Sequence, residues 1–94
     1  GNYRNFYKIE GRSYGHTIEP KTGISKQSEM LSATVIHDKC LKADAWATAF
    51  MAMNKDQAVK LANQLEIAAY FITSGNFKLQ EYYTPSWQTF LDKQ

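Results

Sequence analysis

The sequence predicts an α+β fold. Three observations predict it. Apolar and polar residues alternate in short stretches near both ends of the chain. Two successive stretches of helical periodicity lie between them. The resulting order, β-β-β-α-α-β-β, segregates helices from strands instead of alternating them. The expected architecture is a β-hairpin and further antiparallel strands forming a mixed sheet, packed against two central helices.

Tyr3 to Glu10 sets Tyr3, Tyr7 and Ile9 against Arg4, Lys8 and Glu10, the pattern of a half-buried strand. Gly11-Arg12 supplies a turn, and Ser13 to Ile18 returns as the second strand of a hairpin. Pro20 to Gly23 reads as another turn, and Ile24 to Glu29 as polar loop. Leu31 to His37, with Ala33, Val35 and Ile36, reads as a strand. Asp38 fits a helix N-cap. The helix that follows runs to about Met53, with Leu41, Asp44, Ala45, Thr48 and Ala52 on one side and Trp46, Phe50 and Met53 towards the other. A helix apolar nearly all round is expected to be buried on more than one face. Asn54 with Gln57 resembles a capping box for a second helix, whose stripe is Ala58, Leu61, Ala62 and Leu65. Ile67 to Thr73 is an apolar strand, Ser74-Gly75-Asn76 a hairpin turn and Phe77 to Tyr83 its partner. Pro85 starts a short last helix carrying Trp87, Phe90 and Leu91.

Composition narrows the classes. With 94 residues the chain fits one small domain, and its 44% apolar and 14% aromatic content is globular. A chain of this length buries roughly 60–65% of its unfolded surface. One cysteine excludes an intrachain disulfide. The longest apolar run, Ala45 to Met53, is far shorter than the roughly 20 residues a membrane span needs. Net charge is +2 and the lysines and arginines form no basic run, which argues neither for nor against nucleic acid; no nucleic-acid partner is expected.

Between Cys40 and Met53 only Lys42 and Asp44 are charged. A carboxylate in apolar surroundings is costly unless something pairs with it. Asp44 and Thr48 stand at i and i+4, on one helix face. A carboxylate and a hydroxyl oxygen side by side suit a hard cation such as Mg²⁺, which takes one or two protein carboxylates and completes its shell with water and phosphate. The alternative is an Asp that bonds the Thr hydroxyl or a backbone amide. His16, near a strand end, is a candidate general acid or base or a plain surface histidine. Lys21 and the amides of Thr22 and Gly23 suit a phosphate, or simply a turn. Cys40 lies in a first helical turn beside His37 and Asp38, where a small apolar role is the simpler expectation.

Four motifs in order carry a resemblance: Gly1-Asn2-Tyr3-Arg4, His16-Thr17-Ile18-Glu19-Pro20-Lys21-Thr22-Gly23, Ala33-Thr34-Val35-Ile36 and Ala43-Asp44-Ala45-Trp46-Ala47-Thr48. They resemble the SGxYxR, HxIDPRTG, VTV and ADAxAT elements of the FAD:protein FMN transferase (ApbE) family. Glu19 stands where Asp is usual, Lys21 where Arg is usual and Asn54 where Gly is common.

The resemblance implies a T-fold-like domain of which residues 1–94 are the C-terminal portion. It implies a Mg²⁺-dependent enzyme that cleaves FAD and attaches FMN to a Ser or Thr of an acceptor flavoprotein. The alternatives are an FAD pyrophosphatase releasing FMN and AMP, and a non-catalytic flavin-binding or interaction module. It implies Asp44 and Thr48 as metal ligands, and His16 as the residue that activates the attacking hydroxyl beside the flavin phosphate. Thr22 and Gly23 would shape the loop at that phosphate. It further implies an extracytoplasmic, lipid-anchored parent protein. The isolated chain is then expected to be inactive, and to oligomerise or swap strands.

Overall fold

The structure, a computed structural model, describes residues 3–9, 12–18 and 29–92. The elements are β1 (Tyr3–Ile9), β2 (Arg12–Ile18), β3 (Glu29–His37), α1 (Cys40–Met51), α2 (Lys55–Gln64), β4 (Ala68–Gly75), β5 (Lys78–Tyr83) and α3 (Pro85–Asp92). The strands form one sheet in chain order, β1-β2-β3-β4-β5. The α+β class holds, but the sheet is antiparallel at every pairing and not mixed. The reason lies in the connection from β3 to β4. Two helices in succession carry the chain away and back, so β4 starts at the end where β3 stopped, with Ala68 opposite Ile36. A single helix would have delivered a parallel strand.

Alternation along β2 assigns the two faces of the sheet. Ser13, Gly15 and Thr17 are buried, while Arg12, Tyr14, His16 and Ile18 are half-buried on the opposite side. The first face meets α1. A Cβ on Gly15 would collide with the carbonyl of Ala43 and sit 2.6 Å from the Asp44 nitrogen, so the helix backbone lies directly on the strand. Ala43 and Ala47, both fully buried, keep the rest of that contact close. Beyond them Phe50 meets Phe71 edge-on at 5.2 Å and Trp46 stacks on Phe50 at 5.5 Å. Ala58 and Ala62 of α2 join the same core. Burying each large ring is worth about 2 kcal/mol.

The second face carries α3. Trp87 approaches Tyr70 at 5.3 Å and Tyr14 at 6.4 Å, and Phe90 approaches Tyr14 at 6.2 Å. Thr84 fastens this helix to the sheet. Its hydroxyl donates to the Ile67 carbonyl at 2.8 Å and accepts from the Ala69 and Trp87 amides at 3.1 and 3.3 Å.

Several local expectations shift. Asp38 does not cap α1; the N-cap is Lys39, without a side-chain cap, and the Lys39 amide donates to His37 Nδ1 at 3.0 Å. Asp38 pairs instead with Arg12 at 3.0 Å, because the register sets His37 opposite Ser13 and brings the start of β2 alongside. Helix α1 is not buried on two faces: Leu41 is 85% exposed. Leu65 leaves its stripe to become the exposed C-cap of α2, followed by Glu66 at φ 55°. The Ile67 and Glu66 amides bond back to Ala62 and Asn63 at 2.8 and 3.3 Å, closing a Schellman motif. Glu29, read as loop, opens β3. The Asn54–Gln57 capping box forms with both its bonds. Asn54 is extended there, at φ −77°, so its position does not need glycine.

The β4–β5 turn lies one residue later than its sequence signal. Gly75 pairs with Lys78, and the two loop residues are Asn76 and Phe77, at φ 56° and 61°. A two-residue hairpin with both residues left-handed favours Asn-Gly. Phe77 is 64% exposed, so its ring adds little packing in return. Phe77→Gly is expected to stabilise the protein by about 1 kcal/mol, read as a higher urea midpoint. Gly15→Ala is expected to cost about 3 kcal/mol in the same assay, because the added methyl meets helix backbone that cannot rotate aside.

Candidate functional site

Asp44 and Thr48 project from one flank of α1, beside the residues that lie on the sheet. The i,i+4 spacing that pairs them is a property of any helix. What the tertiary structure adds is their burial state. Asp44 Oδ1 and Thr48 Oγ1 are both shielded from solvent, and neither has a hydrogen-bond partner among the described residues. The alternative of an Asp bonded to the Thr hydroxyl or to a backbone amide therefore does not account for these oxygens. Buried oxygens left unpaired cost about 1–3 kcal/mol each, which a ligand can relieve. Thr17 Oγ1, on the β2 face that meets α1, is also buried and unpaired.

A carboxylate and a hydroxyl oxygen match the preference of Mg²⁺ for oxygen. Among the described residues no group of three His, Cys, Asp or Glu side chains comes together. A cation here would draw its protein ligands from Asp44 and Thr48 and complete its shell from water or substrate.

His16 occupies the other face of the sheet. Its neighbours in β2, Gly15 and Thr17, point to α1, so the pleat directs His16 away from Asp44 and Thr48. The structure thus brings Asp44 and Thr48 together and sets His16 apart from them by the thickness of the sheet. His16 Nδ1 lies 2.6 Å from Thr34 Oγ1 on β3, and Thr34 pairs in turn with Tyr70, and Tyr70 with Tyr83. The Tyr70 and Tyr83 rings stack, 2° from parallel at 6.4 Å. Tyr70 is hydrogen-bonded to Glu81, and that bond with burial raises its hydroxyl to about 12, so it keeps its proton at any ordinary pH. Thr34 lies in the strand motif Ala33-Thr34-Val35-Ile36. Its link to His16 follows only from the β2–β3 register, and sequence carries no signal for it. The phosphate-loop residues Lys21, Thr22 and Gly23 lie outside the described residues.

A cleft of about 370 Å³ opens elsewhere, between the start of β2, the end of α2 and α3, with Arg12, Asp38, Trp46, Glu66 and Phe90 in its wall. Neither Asp44, Thr48 nor His16 lines it. Cys40 is a half-buried free thiol.

The fold superposes on the apo flavinyl transferase ApbE of Pseudomonas stutzeri with a TM-score of 0.77, at 16% identity, over 93% of this chain and 36% of that one. A histidine-to-glycine mutant of the flavin transferase ApbE from Vibrio cholerae gives 0.72, at 18% identity, over 94% and 37%. The ApbE family profile matches residues 1–71, and the chain belongs to the ApbE family. Relatives named FAD:protein FMN transferase are 33% identical in Escherichia coli and 37% in Vibrio cholerae, over 97% and 99% of this chain. The chain spans about a quarter of their length, 26% and 28%.

Burial lowers the His16 imidazolium from its ordinary 6.5. A histidine with a depressed folded value favours the neutral form in the folded protein. Its contribution to stability is complete above about pH 6.5 and is lost as pH falls from there through the lowered folded value. Urea titrations across that window are expected to show stability rising with pH. His16→Gln is expected to remove that component of the slope.

Proposed function

We propose that this chain forms part of a Mg²⁺-dependent FAD:protein FMN transferase. Membership of the ApbE family and the names of its relatives support the class of reaction. The single observation that carries the Mg²⁺ reading is the solvent-shielded pair Asp44 Oδ1 and Thr48 Oγ1, which has no hydrogen-bond partner among the described residues.

In this reading Asp44 and Thr48 hold the cation by one charged and one neutral oxygen. When bound, Mg²⁺ supplies Lewis-acid stabilisation to charge growing on pyrophosphate oxygens. His16 accepts the proton of the attacking Ser or Thr hydroxyl of the acceptor protein. The hydroxyl oxygen bonds to the phosphorus on the FMN side, the bond to the AMP oxygen breaks, and AMP leaves with the electron pair. His16 stands two residues before the end of β2 at Ile18. Helix α1 keeps the metal pair rigid, since its backbone is fixed on Gly15.

The test uses the full-length protein with FAD, Mg²⁺ and an acceptor protein carrying a Ser/Thr flavinylation site. Asp44→Ala is expected to lower AMP release and covalent flavin fluorescence on the acceptor at least ~100-fold. The melting temperature is expected to stay close to that of the wild type, because Oδ1 has no partner to lose. Unchanged AMP release by the variant would overturn the assignment. AMP release with free FMN and no adduct would point to a pyrophosphatase.

A further inference from the structure

His16 and Thr34 are direct partners in the β2–β3 ladder. Opposed residues on an antiparallel pair hold their Cβ atoms within about 5.5 Å, so side chains of this size must interact. The 2.6 Å contact between His16 Nδ1 and Thr34 Oγ1 is the result. Both strands are fixed around it. Ala33 and Val35, on either side of Thr34, are fully buried on the α1 face, so Thr34 cannot turn away without removing core residues. Its β-branched side chain is also stiff at χ1. Among the described residues no hydrogen bond reaches His16 Nε2.

We infer that Thr34 is a positioning residue for His16. Thr34 Oγ1 accepts a hydrogen bond from Nδ1–H, which fixes the ring plane and the tautomer and leaves the lone pair on Nε2. This inference rests on the reading of His16 as the proton acceptor above. A neutral imidazole carries one N–H and one lone pair, so holding the proton at Nδ1 decides which nitrogen can receive another. The device differs from a carboxylate behind a histidine. A hydroxyl brings no charge to stabilise an imidazolium, so Thr34 sets direction and tautomer and leaves the basicity to the surroundings.

The test takes the full-length protein, with Thr34→Val, which keeps the branched shape, and Thr34→Ser, which keeps the hydroxyl. Long-range proton–nitrogen spectra at neutral pH are expected to show the Nδ1–H tautomer in the wild type and in Thr34→Ser. Thr34→Val is expected to shift it to Nε2–H. In parallel, Thr34→Val is expected to lower kcat for AMP release about tenfold with KM unchanged, and Thr34→Ser to restore it. An Nε2–H tautomer in the wild type, which needs no variant to measure, would overturn the inference. So would a Thr34→Val protein with unchanged tautomer and kcat, or a Thr34→Ser protein that fails to recover. Full turnover by His16→Gln would instead remove the role given to His16, while the tautomer spectra would still judge Thr34.

Discussion

The arrangement depends on one contact, the backbone of α1 lying on Gly15 of β2. Helices usually stand off a sheet by the height of their side chains. Here the strand offers no side chain, and the helix answers with Ala43 and Ala47. Close approach of this kind has a geometric consequence. The residue after Ala43 is forced to the flank of the contact, next to the sheet but not against it. That residue is Asp44, and one helical turn later the same flank carries Thr48. Two oxygens are thereby held out of water with no partner among the described residues.

The remainder of the core supports that placement. Phe50 and Phe71 fill the space farther along α1, where the helix no longer touches a glycine. The opposite face of the sheet is built differently. Part of it is covered by α3 through Trp87 and Phe90, and Thr84 ties the start of that helix to the start of β4 through the Ile67 carbonyl and the Ala69 amide. Across this face runs the row His16, Thr34, Tyr70 and Tyr83, polar at one end and aromatic at the other, with Tyr70 against Trp87 of the cover. The metal candidates and the histidine thus belong to two environments on opposite faces of strands β2 and β3.

Much of the local structure was legible from residues alone. The capping box at Asn54 needs only residues three apart, and it forms as read. The pairing of Asp44 with Thr48 needs only the helical period. Errors appeared where a distant group competed for a local signal. Asp38 has the chemistry of an N-cap, yet Arg12 from another strand takes it. Gly75 looks like the turn residue, yet strand pairing moves the turn onto Asn76 and Phe77 and leaves Phe77 strained. The mixed sheet failed for a related reason, since strand direction is set by how many helices intervene and not by the strands themselves.

The sequence by itself determined the α+β class, the order of elements, the family and the side-by-side placement of Asp44 and Thr48. Each is written in short-range periodicity or in motifs a few residues long. Only the tertiary structure decided which face each candidate occupies. It set His16 on the side of the sheet away from Asp44, gave it Thr34, eighteen residues distant, as its partner, and left Asp44 Oδ1 and Thr48 Oγ1 without a partner among the described residues. The physical reason is strand register. A pleated strand sends successive residues to opposite faces, and which face meets a helix depends on partners that lie far away in the chain.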